Sequence, residues 1–289
     1  MQTRTDLALE QAGRIQGCKG ISRRERGSVF HVTEIIIDSD AHGAAIGRGK
    51  GRYLTLEGDR FSRFSPEYRA QVEELAAELR SFLPDGAILA VGLGNNDITP
   101  DALGPQTAGK LLATRHLRRE LCSNAPDEAF LRDLRPVSVL ASGVLGQTGI
   151  EAAELIAALK GTLHPQAVVA IDALACSDLH RLGTTIQISD AGISPGSGVQ
   201  NSRAELSRRT LGIPVIAIGV PTVVDMHTIV SHFTGGDVQW QRRSDTLPNM
   251  MVTPRDIDKL TSHSAALIAD ALNLALHPAF SFEDVEALA

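Results

Sequence analysis

Cysteine is nearly missing from this chain: Cys18, Cys122 and Cys176 are the only three, odd in number and far apart. They make no CxxC pair and no Cys/His metal spacing, and a disulfide scaffold of this size would need more of them. A reducing, cytoplasmic compartment is the expectation. Long apolar runs are missing too. The best candidate, Pro214 to Val224, is broken by Pro221 and falls well short of the ~18 residues of a membrane helix. The start, Met1-Gln-Thr-Arg-Thr-Asp6, is polar and leads into no signal-peptide apolar core. Nor does either charge dominate. Lys+Arg number 28 and Asp+Glu 34, a formal charge of −6, which argues against a general nucleic-acid binder while leaving a basic protein as partner.

What remains is an ordinary globular composition. Apolar residues make up 43% and charged residues 21%, which excludes a largely disordered chain. A length of 289 residues allows one large domain or two small ones. Residues 1–30 mix Arg, Gly and polar side chains and read as loosely structured. Val29–Ile37 and Gly51–Leu56 read as strands by their β-branched content. The spacing of Val72, Leu75, Leu79 and Phe82 predicts an amphipathic helix over Glu67–Phe82, stopped by Pro84. From there the pattern becomes strand, Gly-rich turn, helix, repeatedly. Ala87–Leu93, Val137–Ala141, Ala167–Ile171, Thr185–Ile188 and Pro214–Ile218 are short apolar runs of the kind that parallel strands covered on both faces show. Helices fit Asp101–Leu117, Ile150–Leu159, Ala204–Arg209 and Asp256–Leu276. The expectation is an α/β fold, a three-layer αβα domain with a mostly parallel central sheet. Residues 226–249 read as a surface excursion.

Ligands of an open α/β sheet sit at the carboxyl ends of its strands. Asp97 and Asp101 follow the strand that ends Val91-Gly-Leu-Gly-Asn95, Asp172 closes Val168–Asp172, and Asp190 follows Ile186–Ser189. Asp225 ends the Pro214–Val224 segment, and Glu151 opens a helix after Gly146-Gln-Thr-Gly149. Two carboxyls held close together cannot both ionise cheaply, so one serves as general acid while the other activates water. Asp101 and Asp172 are the chosen pair. The competing structural account makes Asp101 a helix N-cap after Pro100 and Asp172 a strand-end residue bonding a turn.

The glycine loop Gly92–Asp97 lacks the third glycine of a dinucleotide fingerprint and the Lys-Ser/Thr of a P-loop. Ser197, in Pro195-Gly-Ser-Gly198, does not meet the G-x-S-x-G elbow and reads as turn or substrate-lining backbone. His227 and His232 lie five apart and miss the spacing of a helical metal pair.

Several of these blocks together resemble the germination protease (spore protease) family. They are Val91–Asn95 with Thr99-Pro-Asp-Ala-Leu-Gly-Pro105, Arg135–Ser138, Gly146–Glu151, Ile171-Asp-Ala-Leu-Ala175, Ile186–Asp190, Pro195–Val199 with Asn201, Leu211–Gly219, and Pro221-Thr-Val-Val-Asp225. Met251-Val-Thr-Pro254 and the last helix extend the match almost to the C-terminus. The resemblance implies an endopeptidase that degrades small acid-soluble, DNA-protecting spore proteins during germination. It implies an atypical aspartic mechanism with no metal and no cofactor, and a fold similar to hydrogenase maturation peptidases. The family's two essential aspartates fall on Asp101 and Asp172; Asp97, Glu151, Asp190 and Asp225 are read as supporting residues from their places at strand ends and a helix start.

The resemblance also implies a zymogen: residues 1–6 a propeptide cut between Asp6 and Leu7, and residues 7–289 one αβα peptidase domain. The bland account of that stretch is Thr5-Asp6 capping a short helix over Leu7–Ala12. A homo-oligomer, a tetramer in the family, is implied as well. Longer members carry an insertion where only residues 226–249 stand here, and an oligomer contact housed there would be missing. Gln200 stands where the family usually has glycine, and Ser142 where it often has proline. The alternative from another class is a metal-binding maturation-type peptidase or a non-enzymatic binding module on the same sheet, with Asp97, Asp101, Glu151 or His116 as ligands. Loss of activity in EDTA would favour it.

Overall fold

A computed structural model describes residues 5–12, 20–117, 134–195, 204–234 and 250–288. Among these, nine strands form one mixed sheet. They are β1 (Ile21–Arg26), β2 (His31–Ile37), β3 (Gly51–Glu57), β4 (Ile88–Leu93), β5 (Val137–Gly143), β6 (Ala167–Cys176), β7 (Thr185–Ser189), β8 (Val215–Asp225) and β9 (Met251–Val252). The order across the sheet is β1-β2-β3-β7-β8-β6-β4-β5, with β9 paired to β8. The half made of β5, β4, β6 and β8 is parallel. From β8 outward through β7, β3, β2 and β1, every pairing is antiparallel.

Side-chain alternation along the parallel strands explains the three layers. Ile88 and Ala90 of β4, Val169 and Ile171 of β6, and Ile216 and Ile218 of β8 face one side. There they meet α2 (Tyr68–Arg80), α3 (Leu103–Ala108), α6 (Ile257–Leu276) and α7 (Phe282–Leu288). Leu89, Val91 and Leu93 of β4 with Val168 and Ala170 of β6 face the other side, against α4 (Ala152–Leu163). Both faces of these strands are therefore dry, which is why they read as continuous apolar runs. A fully buried Leu or Ile in such a layer contributes ~1.5–3 kcal/mol. The antiparallel half is covered by α1 (Ala8–Ala12), whose Ala8 and Leu9 pack on Ile35, Ile37 and Tyr53. Another helix, α5 (Met226–Thr234), follows β8 directly. No helix among the described residues is long and apolar enough to cross a membrane.

Several expectations shift. Residues 1–30 are not loose where described: α1 and β1 lie there, and β1 escaped notice because it is an edge strand with mostly exposed, charged side chains. The run Thr185–Ile188 is a buried strand, but an antiparallel one. Only residues 177–184 join β6 to β7, too few for a parallel crossover, which needs about a dozen or more. The helix expected over Asp101–Leu117 is broken, with an α-helical run at Leu103–Ala108 and helical backbone again at residues 115–117. Buried Asn273 accepts from Leu112 N and donates to Lys110 O, holding the chain beyond Gly109 in turns. The helix expected over Ala204–Arg209 is Arg208–Leu211 instead. β8 runs straight through Pro221, with a register shift in its pairing to β6 between Leu174 and Ala175.

Candidate active site

The loop after β4 is shaped by glycine. Gly94 has φ +106°, and a Cβ there would stand 2.1 Å from the carbonyl oxygen of Asp101. With no side chain in the way, the loop folds back so that Asn95 N donates to Asp101 Oδ2 at 2.7 Å. Asp101 ends a 3₁₀ turn, Thr99–Asp101. That turn is pinned by Thr222 Oγ1 donating to Pro100 O (2.7 Å) and Thr261 Oγ1 donating to Thr99 O (3.2 Å). Asp101 is thus no N-cap of α3, whose first turn has no side-chain cap.

Asp172 lies inside β6, which runs on to Cys176 rather than ending at the aspartate. The β4–β6 ladder stops at Gly92 and Ile171, so Asp172 is the first residue of β6 beyond that ladder. It is buried, and its Oδ1 accepts from Ala173 N at 3.0 Å. Asp101 and Asp172 face one cavity of about 860 Å³. Its wall also includes Thr5, Asp6, Arg48, Tyr53, Gln187 and Ser189.

Thr5 and Asp6 thus share the cavity with both aspartates. Asp6 N donates to Ala175 O (2.9 Å), and Ala175 N donates back to Asp6 Oδ2 (2.9 Å). Leu7 is fully buried among Leu174, Cys176 and Val224. Thr5 Oγ1 accepts from Leu7 N just ahead of α1, so the short helix read as the bland alternative exists, starting at Ala8. The carboxylate of Glu10 fastens it, accepting from Ser177 N at 2.7 Å and Asp178 N at 2.9 Å.

The other four carboxylates are placed elsewhere. Asp97 is exposed and accepts from Gln147 Nε2 at 3.1 Å. Glu151 caps α4 in a capping box with Glu154. Asp190 accepts from Arg52 N and Asp225 from His227 N, each at 2.7 Å. None of the four is part of the cavity wall. Ser197 and Gln200 lie outside the described residues, as do Cys18 and Cys122. Cys176 is a free thiol that burial pushes up, so the thiolate needed for nucleophilic attack is disfavoured. His116 is exposed, and among the described residues no three His, Cys, Asp or Glu side chains are grouped to hold a metal ion.

Two cavity residues escaped the sequence reading. Arg48 is half-buried; desolvation pulls its guanidinium down, while Asp6 pulls it up. Gln187 is the middle residue of Thr-Ile-Gln-Ile-Ser, and its alternation, which puts Thr185, Gln187 and Ser189 on the face opposite Ile186 and Ile188, is the signal that could have marked it. For Arg48 the signal was a cation within the glycine run Gly47-Arg-Gly-Lys-Gly51.

The sequence model of the family described as "Germination protease" matches residues 2–235. Relatives with that same description are similar along nearly the whole chain. The Clostridium tetani protein is 36% identical over 325 aligned positions, covering 99% of this chain and 98% of its own. The Caldanaerobacter subterraneus subsp. tengcongensis protein is 37% identical, covering 99% and 97%. The Bacillus subtilis protein is 36% identical, covering 98% and 94%. A solved structure, the [NiFe] hydrogenase maturation protease HycI of Thermococcus kodakarensis, overlaps 68% of this chain and 98% of its own, with 21% identity and a TM-score of 0.35. With a family match over most of its length and full-length relatives above 30% identity, the chain belongs to the germination protease family.

Proposed function

We propose that this protein is an aspartic-type endopeptidase of spore germination whose water-activating pair is Asp101 and Asp172. The observation that carries the reading is that both carboxyls, from different elements, face one cavity large enough for a peptide segment. In this mechanism the two share one proton. The ionised partner takes a proton from water as it attacks the peptide carbonyl, and the protonated partner donates to the leaving nitrogen. A main-chain N–H holds each carboxyl in place, Asn95 N on Asp101 and Ala173 N on Asp172.

Its substrates are small acid-soluble spore proteins in the spore core, a reading supported by the family name and by a net charge that does not repel basic partners. The chain is made as a zymogen: Thr5 and Asp6 form part of the cavity wall beside both aspartates, and self-cleavage between Asp6 and Leu7 would release residues 1–6. Incubation with a purified small acid-soluble spore protein, with and without EDTA, followed by mass spectrometry tests the reading. Discrete internal cuts insensitive to EDTA are expected, and an uncut substrate with a folded, self-processed enzyme would overturn it.

A further inference from the structure

We propose that Arg48 and Gln187, with the edge of β6 at Ala175, form a clamp for the backbone of an extended peptide, and that a protein substrate threads it in the register now held by residues 5–8. The proposal rests on the peptidase reading of the cavity.

Beyond Ile171 the ladder to β4 has ended, so β6 continues to Cys176 with β8 as its strand partner on one side. A strand edge of this kind is a template for an incoming chain, the basis of peptide recognition by strand addition. The chain's own N-terminal segment sits on it. Asp6 N donates to Ala175 O, and the Asp6 carboxylate accepts from Ala175 N in place of the carbonyl a true strand would present. Arg48 Nη2 donates to Thr5 O at 2.9 Å. Gln187 holds two points at once, donating from Nε2 to Asp6 O (2.9 Å) and accepting at Oε1 from Ala8 N (2.7 Å). Thr5 O, Asp6 N, Asp6 O and Ala8 N are all main-chain groups, so these contacts read any sequence.

Selectivity enters through two side chains. Leu7 fills a pocket of Leu174, Cys176 and Val224, which suits a medium-sized apolar residue. Arg48 Nε is buried with no hydrogen-bond partner among the described residues, and the guanidinium is close enough to Asp6 to feel its charge. That donor favours a carboxylate just before the apolar residue. Arg48 and Gln187 share the cavity wall with Asp101 and Asp172, so the clamp delivers the peptide to the carboxyl pair.

The test uses the full-length Asp101→Asn protein, so that nothing is cut, and a fluorescein-labelled peptide of residues Gln2–Ala12 read by polarisation. Asp6→Pro removes both the N–H and the carboxylate that hold the resident segment. It should tighten peptide binding about tenfold over the Asp101→Asn parent, as expected for a competitor that has lost its main contacts. Adding Gln187→Ala or Arg48→Met to that background should weaken binding about tenfold, with thermal unfolding unchanged. If Gln187→Ala does not fold, Gln187→Glu, which keeps the acceptor and loses the donor, serves in its place. Equal affinity with and without the Gln187 change, or no gain from Asp6→Pro, overturns the clamp. Peptide binding that depends on Gln187 in a protein whose wild type never cleaves would support the clamp and sink the peptidase reading separately.

Discussion

A Cβ on Gly104 would come within 2.4 Å of the carbonyl oxygen of Ile171 and 2.3 Å of that of Leu93. The first turn of α3 is thus pressed onto the carboxyl end of β4 and the middle of β6 at once. Asp101 lies three residues before this contact and Asp172 one residue after it, so the closeness of helix and strand sets where both carboxyls stand.

Gly104→Ala should therefore act on both aspartates together. The backbone atoms it meets cannot swing aside, so α3 must lift, at a cost of ~1–3 kcal/mol as for other overpacked sites. A displacement approaching 1 Å should lower kcat about a hundredfold. Denaturant unfolding and peptide cleavage check this; unchanged kcat would show that the contact does not position the pair.

His277 should make the fold acid-sensitive. It is buried, with neither ring nitrogen hydrogen-bonded among the described residues, and burial beside Arg135 pushes it down to about 4. Below pH ~6.5 the unfolded chain takes up a proton that the folded chain refuses, so stability falls as pH drops toward 4, by roughly 3 kcal/mol in all. Urea titrations of wild type and His277→Phe at pH 7.5 and 4.5 measure it. The variant should lose the corresponding part of the pH slope, and an identical slope would remove His277 as its cause.

Much of this arrangement was legible in the residues. Both-face burial of Ile88–Leu93 and Val215–Ile218 follows from their unbroken apolar runs, whereas the strand read as closing at Asp172 runs on to Cys176. The direction of Thr185–Ser189 was hidden, because burial on both faces looks the same in parallel and antiparallel strands; only the short connection before it decides. β1 was hidden because its pattern, Ile-Ser-Arg-Arg-Glu-Arg, is that of a solvent-facing edge. Arg48 and Gln187 were not legible as a pair, since they lie 139 positions apart and the β3–β7 pairing is what brings their neighbourhoods together.

Self-processing should expose Leu7. N-terminal sequencing after mild acidification should find a new terminus at Leu7 in wild type and the original one in Asp101→Asn. Because Leu7 and Asp6 are held by the sheet edge, the cut should proceed within one molecule, at a rate independent of protein concentration. An active enzyme that keeps Asp6 joined to Leu7 would contradict the zymogen account.

A shared proton should give a bell-shaped dependence of kcat/KM on pH, with both limbs belonging to the pair rather than to either residue. Asp172→Asn should abolish the bell together with the rate. A profile flat from mildly acidic to neutral pH would exclude a proton shared over that range.

The most direct measurement is the cleavage rate of a small acid-soluble spore protein by Asp101→Asn and by Asp172→Asn, each confirmed folded by circular dichroism. Asparagine keeps size and hydrogen bonding but cannot exchange the proton, so each single variant should lose at least ~10³-fold, and the double variant should lose little more than either alone, as groups that act as a unit do. Near-normal cleavage by either variant would remove that aspartate from the mechanism and contradict the account.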